Sequence, residues 1–112
     1  MFFDDWPVHG QEQISKSLLW EYDLSSPEWD WHKMRHIVVA RVIELGRPED
    51  YYAMFRLYGG VEAVREIVKT IPYMNDRDME WCCVLFKLKR EDLWSSKRAL
   101  LRKQLLRSWQ NS

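Results

Sequence analysis

The chain has 112 residues, the length of one domain, and its four glycines and four prolines supply too few turns for a many-stranded sandwich or barrel. An apolar content of 46%, with seven Trp, five Tyr and four Phe, is enough to build a core and excludes a disordered chain. The 17 basic and 17 acidic residues cancel, no apolar run approaches the roughly 20 residues of a membrane span, and the acidic start Met1-Phe2-Phe3-Asp4-Asp5 lacks the basic region of a signal peptide, so a cytoplasmic protein is expected.

In chain order, the first helical candidate runs from Gln11 to about Trp20, where Ile14, Leu18 and Tyr22 recur at i, i+4, i+8 before Ser25-Ser26-Pro27 breaks the pattern. The next is clearer. Asp30 can serve as its N-cap, Met34, Ile37, Val38, Arg41, Val42 and Leu45 keep a helical spacing, and Gly46 and Pro48 end it. Arg41 falls within that apolar stripe, where an unpaired charge is expensive. It calls for a carboxylate from the acidic segment around Trp20, Asp23 first and Glu21 second, the alternative being an arginine that rests its stem on the core and reaches the edge.

Pro48 and Gly59 frame a third helix with Tyr51, Met54, Phe55 and Tyr58 on one face. A fourth runs from about Val61 to Thr70 and stops at Pro72, with Val64, Ile67 and Val68 opposite Glu62, Arg65 and Lys69. Asn75 is the natural cap of a fifth, apolar nearly all round from Met79 to Leu88, which predicts the central helix with Trp81, Leu85 and Phe86 nearly inaccessible. After a polar turn over Lys87 to Asp92, a last helix covers about residues 95–110. The fold class expected is all-α: a compact single domain over residues 1–112, of five or six helices, the C-terminal one basic.

Charge is unevenly spread along the chain. Residues 1–31 carry seven acids against Lys16, a balance of −6, while residues 95–112 carry Lys97, Arg98, Arg102, Lys103 and Arg107 and no acid, a balance of +5. An acidic head and a basic tail can attract one another within a chain, between two chains, or meet different partners. Around the last helix, cations and leucines alternate on every side, which suits a contact outside the chain better than one small core. Arg98, Leu101, Arg102, Leu105, Leu106, Arg107 and Trp109 are the candidate partner-binding residues, because aliphatic and aromatic anchors with Arg are the mixture favoured at interface centres.

Signals for catalysis are weak. His32 and His36 stand at i, i+4, but the zincin pattern needs Glu beside the first His and Lys33 is there instead. Gly59-Gly60 lacks the Lys-Ser/Thr of a phosphate loop, and the adjacent Cys82 and Cys83, with no CxxC, read as small hydrophobes. Neither an enzyme nor a cofactor is expected. The turn before Asn75 has helix-turn-helix length, but the helix after it opens Asp76-Arg77-Asp78, which repels phosphate.

The run Leu18-Leu19-Trp20-Glu21-Tyr22-Asp23, then Trp31, then Arg41-Val42-Ile43-Glu44-Leu45-Gly46, then Tyr58-Gly59, and finally Trp81 with Phe86, resembles a family of small bacterial domains of unknown function. Its members share an aromatic-acidic "LFWD-x-D" entry, an "RVLExG" helix end, a "YG" turn and a late "FW". The resemblance covers about residues 18–88, with Glu21 in place of the usual Asp and Ile43 in place of the usual Leu. Members are often encoded beside AbiEii-like nucleotidyltransferase toxins, in the place of an antitoxin. The resemblance therefore implies a non-enzymatic, antitoxin-like partner of such a toxin in a bacterial defence or toxin–antitoxin pair. The alternative is a small nucleic-acid-binding regulator that uses the basic helix, and a homodimer is compatible with either.

Overall fold

The structure, a computed structural model, describes residues 3–110 and, for Trp109 and Gln110, the backbone alone. Within that range the fold is all-helical: α1 (Arg35–Leu45), α2 (Pro48–Tyr58), α3 (Val61–Lys69), α4 (Asp76–Phe86) and α5 (Trp94–Gln110), with short 3₁₀ turns at Trp6–Val8, Lys16–Leu19 and Arg90–Asp92. Among the described residues there is no strand.

The centre is α1, not the helix after Asn75. Val38, Val39 and Val42 are fully enclosed, and α1 packs against α2, α3, α4 and the turn Lys16–Leu19. Three β-branched residues are poor helix formers in isolation, so α1 owes its stability to what surrounds it. The sequence expectation for α4 is corrected accordingly. Leu85 and Phe86 are buried, but Trp81 is only half-buried and Val84 is 55% exposed. Trp81 stays near the surface because its indole N–H donates to the Tyr51 hydroxyl (2.8 Å), which itself donates to the Ile43 carbonyl (3.3 Å). Asn75 does cap α4, accepting from the Asp78 amide at 2.8 Å.

Two other boundaries differ from expectation. Asp30 caps a turn rather than α1: its carboxylate accepts from the amides of His32 and Lys33, and α1 begins only at Arg35. The expected helix from Gln11 to Trp20 is reduced to Lys16–Leu19, because Asp50 pulls the chain out of helical geometry just before it. Ser15 is extended, and its amide and hydroxyl both donate to one Asp50 oxygen (2.7 and 2.8 Å). The second oxygen accepts from the Arg47 amide at 2.9 Å, at the start of α2. The tight turn that follows lets the consecutive Leu18 and Leu19 both enter the core.

Pro48 opens α2 and Gly59 closes it in the left-handed region (φ 97°). Gly60, at φ 122°, is needed for a further reason: a Cβ there would lie 3.1 Å from the Trp6 ring, which packs over the turn into α3. Arg65 on α3 donates from Nε to the Phe86 carbonyl (3.0 Å), covering the end of α4.

The buried Asp50 carboxylate sets the first test. Replacing Asp50 with Ala strands the Ser15 and Arg47 donors and is expected to lower unfolding free energy by about 2–4 kcal/mol in urea denaturation, whereas Asp50→Asn, which keeps one acceptor oxygen, costs less. Phe86→Ala should cost about 3–5 kcal/mol and Trp81→Ala, at the rim, distinctly less.

Candidate interaction surface

The root of α5 is tied to the body and the rest is not. Leu93, just before it, is fully buried, and Ser95 is buried with its Oγ lacking a partner among the described residues. Arg98 reaches the Pro72 carbonyl at 3.4 Å. From Leu100 to Ser108 every residue is exposed. Leu100, Leu101, Leu105 and Leu106 are 58%, 54%, 64% and 57% accessible. The radius of gyration, 15.9 Å, exceeds the roughly 13 Å of a compact domain this size, as a projecting helix of about 25 Å requires.

Of the partner-binding candidates, Arg98, Leu101, Arg102, Leu105, Leu106 and Arg107 therefore stand together on one exposed helix. The side chain of Trp109 lies outside the described residues. Leu100, one of the leucines interspersed with the cations but outside the candidate set, is as exposed as they are. At about 100° per residue, Trp94, Leu101 and Leu105 fall within about 40° of one another, with Lys97 on one side and Arg98 and Arg102 on the other.

At the opposite charge pole, Arg41 is held by the head. Its guanidinium donates to the Leu18 carbonyl (2.9 Å) and pairs with Glu21, the second-ranked candidate. The pairing pushes the Glu21 carboxyl down and the Arg41 guanidinium up from their ordinary values. Asp23, ranked first from the sequence, is not the partner. Its carboxylate accepts from the Ser25 hydroxyl (2.6 Å) and amide (3.1 Å), contacts that hold its pKa down and fold the chain into a local turn.

Around this ion pair the surface is aromatic and acidic. Trp20 is 79% exposed, Glu21 and Asp23 are exposed close after it, and Glu28 and Asp30 are exposed on either side of Trp29. Two shallow concavities of about 500 and 340 Å³ share Tyr22 and Asp23; the first is also lined by Leu19 and Trp20, the second by Glu28 and Trp29. Tyr22, Trp29 and Trp31 pack edge to face and tilted at ring separations of 5.2–5.4 Å.

His36 and Cys82 make contacts that serve the fold. His36 hydrogen-bonds the Thr70 hydroxyl (2.7 Å), joining α1 to the end of α3. Among the described residues no group of three or more His, Cys, Asp or Glu is placed to hold a metal ion. Cys82 is buried beside the Met74 sulfur and burial pushes its thiol up to about 12, while Cys83 is half-buried, more open than expected.

His9 forms a cluster that sequence spacing did not suggest, since its loop has no regular period. Its Nδ1 lies 2.7 Å from Glu12 and its Nε2 3.2 Å from Asp5. The ring stacks on Tyr52 of α2 at 3.6 Å, and Tyr52 donates to Asp5 at 2.8 Å. The Glu12 hydrogen bond leads in raising the His9 pKa above its ordinary 6.5. Because the shift is upward, the stabilisation is complete below the ordinary value and is lost as pH rises past the raised one. A proton NMR titration should place His9 above a free histidine, and Glu12→Gln should bring it down; a His9 that titrates normally in the intact chain contradicts the cluster.

Two comparisons with known proteins returned nothing: no curated protein matches the chain, and no solved structure matches it. A family model does match, over a shorter range than the 18–88 suggested by the motifs, and it leaves Trp81 and Phe86 outside. Residues 14–68, which span the aromatic-acidic surface, α1, α2 and nearly all of α3, match the model of a family of unknown function, DUF6922.

Proposed function

We propose that the chain is a non-enzymatic interaction module that holds a partner protein through α5, and that the partner is a nucleotidyltransferase-type toxin for which it serves as antitoxin. The observation that supports the interaction reading is the exposure of four leucines on one helix that leaves its own core after a single anchored turn. Exposed apolar groups at this density, interleaved with Arg, have the make-up of an interface centre. The antitoxin role rests on the motif pattern of residues 18–88. The carboxylates with direct contacts serve the fold: Asp50 joins Ser15 to α2, Glu21 holds Arg41, and Asp23 closes a turn.

A second reading is favoured by one feature. All five cations of α5 are exposed, and no acid accompanies them, so the helix could also track a nucleic-acid backbone.

The test uses the full chain, co-expressed with the product of its neighbouring gene. Leu101→Gln with Leu105→Gln changes only exposed positions and is expected to leave thermal unfolding nearly unchanged while weakening association at least about tenfold, some 1.4 kcal/mol. That association should survive raised salt. Binding to nucleic acid would instead collapse steeply with salt, and would depend on Arg98, Arg102 and Arg107 rather than on the leucines. Unchanged capture by the leucine variant would reject α5 as the contact.

A further inference from the structure

We infer that, when no other protein is bound, the stripe of α5 is covered by the aromatic-acidic face around Trp20 of a second copy of this chain. The inference rests on α5 being the contact element, as proposed above, and adds what that element meets first.

Three observations carry it. Along the stripe, Trp94 is 46% exposed, Leu101 54% and Leu105 64%, and it is bordered by Lys97, Arg98 and Arg102. The face around Trp20 offers an exposed indole, a concavity lined by Leu19, Tyr22 and Leu24 with Asp23 and one cation, Lys16, and a second lined by Tyr22, Trp29 and Met34 with Glu21, Asp23 and Glu28. Glu21 has Arg41 as its ion-pair partner, whereas Asp23 is held by the Ser25 hydroxyl and by backbone amides, and Asp30 by the amides of His32 and Lys33 with the Lys33 cation near it. A cationic border therefore finds in a second copy the anions that its own body does not bring to it.

Charge also decides between the two ways in which copies could meet. Pairing α5 with α5 would set five cations against five with no acid between them, and neighbouring like charges are destabilising. Pairing α5 with the other copy's Trp20 face sets those cations against Asp23 and Glu28, which line its two concavities. Used twice, with each copy giving a helix and receiving one, the contact closes on a two-fold axis and leaves no free stripe for further growth. The helix, about 25 Å long, can lie along a neighbouring face while Leu93 keeps its root in its own core.

A charge-swap experiment on the full chain tests this by sedimentation equilibrium at micromolar concentration and low salt. The unaltered chain is expected at twice its 13.7 kDa mass. Arg98→Glu with Arg102→Glu, and separately Asp23→Lys with Glu28→Lys, should each raise the dimer dissociation constant at least tenfold. Glu21 is left intact so that Arg41 keeps its partner, and circular dichroism checks that each variant is folded. Mixed in equal amounts, the two variants should recover the dimer, since both contacts are then attractive again. An unaltered chain that stays monomeric overturns the inference, and so does an Asp23→Lys, Glu28→Lys chain that dimerises normally. If either result is found while the Leu101→Gln, Leu105→Gln chain still loses its partner protein, the self-contact is wrong and the proposed function stands. If the charge swap restores the dimer while that leucine variant keeps its partner, the partner is held elsewhere and α5 serves self-association.

Discussion

One buried carboxylate sets how the acidic side of the molecule is built. Asp50 lies at the start of α2 with almost no exposure, and its two oxygens take hydrogen bonds from Ser15 and Arg47. A buried charge is tolerable when its lone pairs are filled by donors and the positive end of a helix stands behind it. By holding Ser15, Asp50 fixes where the chain turns to insert Leu18 and Leu19 against α1. That placement presents the Leu18 carbonyl and Glu21 to Arg41, and so determines which way Trp20 and the acids after it face. The aromatic-acidic surface is thus a consequence of a polar contact some thirty residues further along the chain.

The two charge poles have different mechanical support. The acidic face is braced by α1, by the Arg41 ion pair and by packed aromatic rings, and it sits on the most buried part of the molecule. The basic pole is a helix held at one end. A helix of seventeen residues without tertiary support is marginal in water, and its cations repel one another. A chain that maintains such a helix gains most when another surface completes it, which links the local sequence of α5 to the function proposed.

What was legible in the sequence follows from how local each signal is. α2 and α3 could be read directly because Pro48, Gly59 and Pro72 punctuate them and their apolar positions keep one face. The cap at Asn75 and the exposed, mixed surface of the last helix were equally local. The start of α1 was misjudged because Asp30 offers the same side-chain acceptor to a turn as to a helix. The central position of α1 was hidden for another reason: a valine-rich helix and an all-round apolar α4 compete for the same role, and only the hydrogen bond from Trp81 to Tyr51 shows which stays at the rim. Of the long-range polar contacts only one left a signal, the need of Arg41 in an apolar stripe for a carboxylate near Trp20. Nothing in spacing tells Asp50 to reach Ser15, or Arg41 to take Glu21 instead of Asp23; Ser25 decides the latter by claiming Asp23 first.

The central claim is that α5 depends on a surface outside its own body. Amide hydrogen exchange of the full chain, measured over a wide range of protein concentration, tests it most directly. Amides of Val38, Val39 and Val42 should be slow at every concentration, because α1 opens only with the whole fold. Those from Leu100 to Ser108 should exchange fast in dilute solution and slow progressively as the chain is concentrated or as its partner is added. Protection of these amides that is already high in dilute solution and unchanged by concentration or partner would contradict the account, since α5 would then be stable on its own.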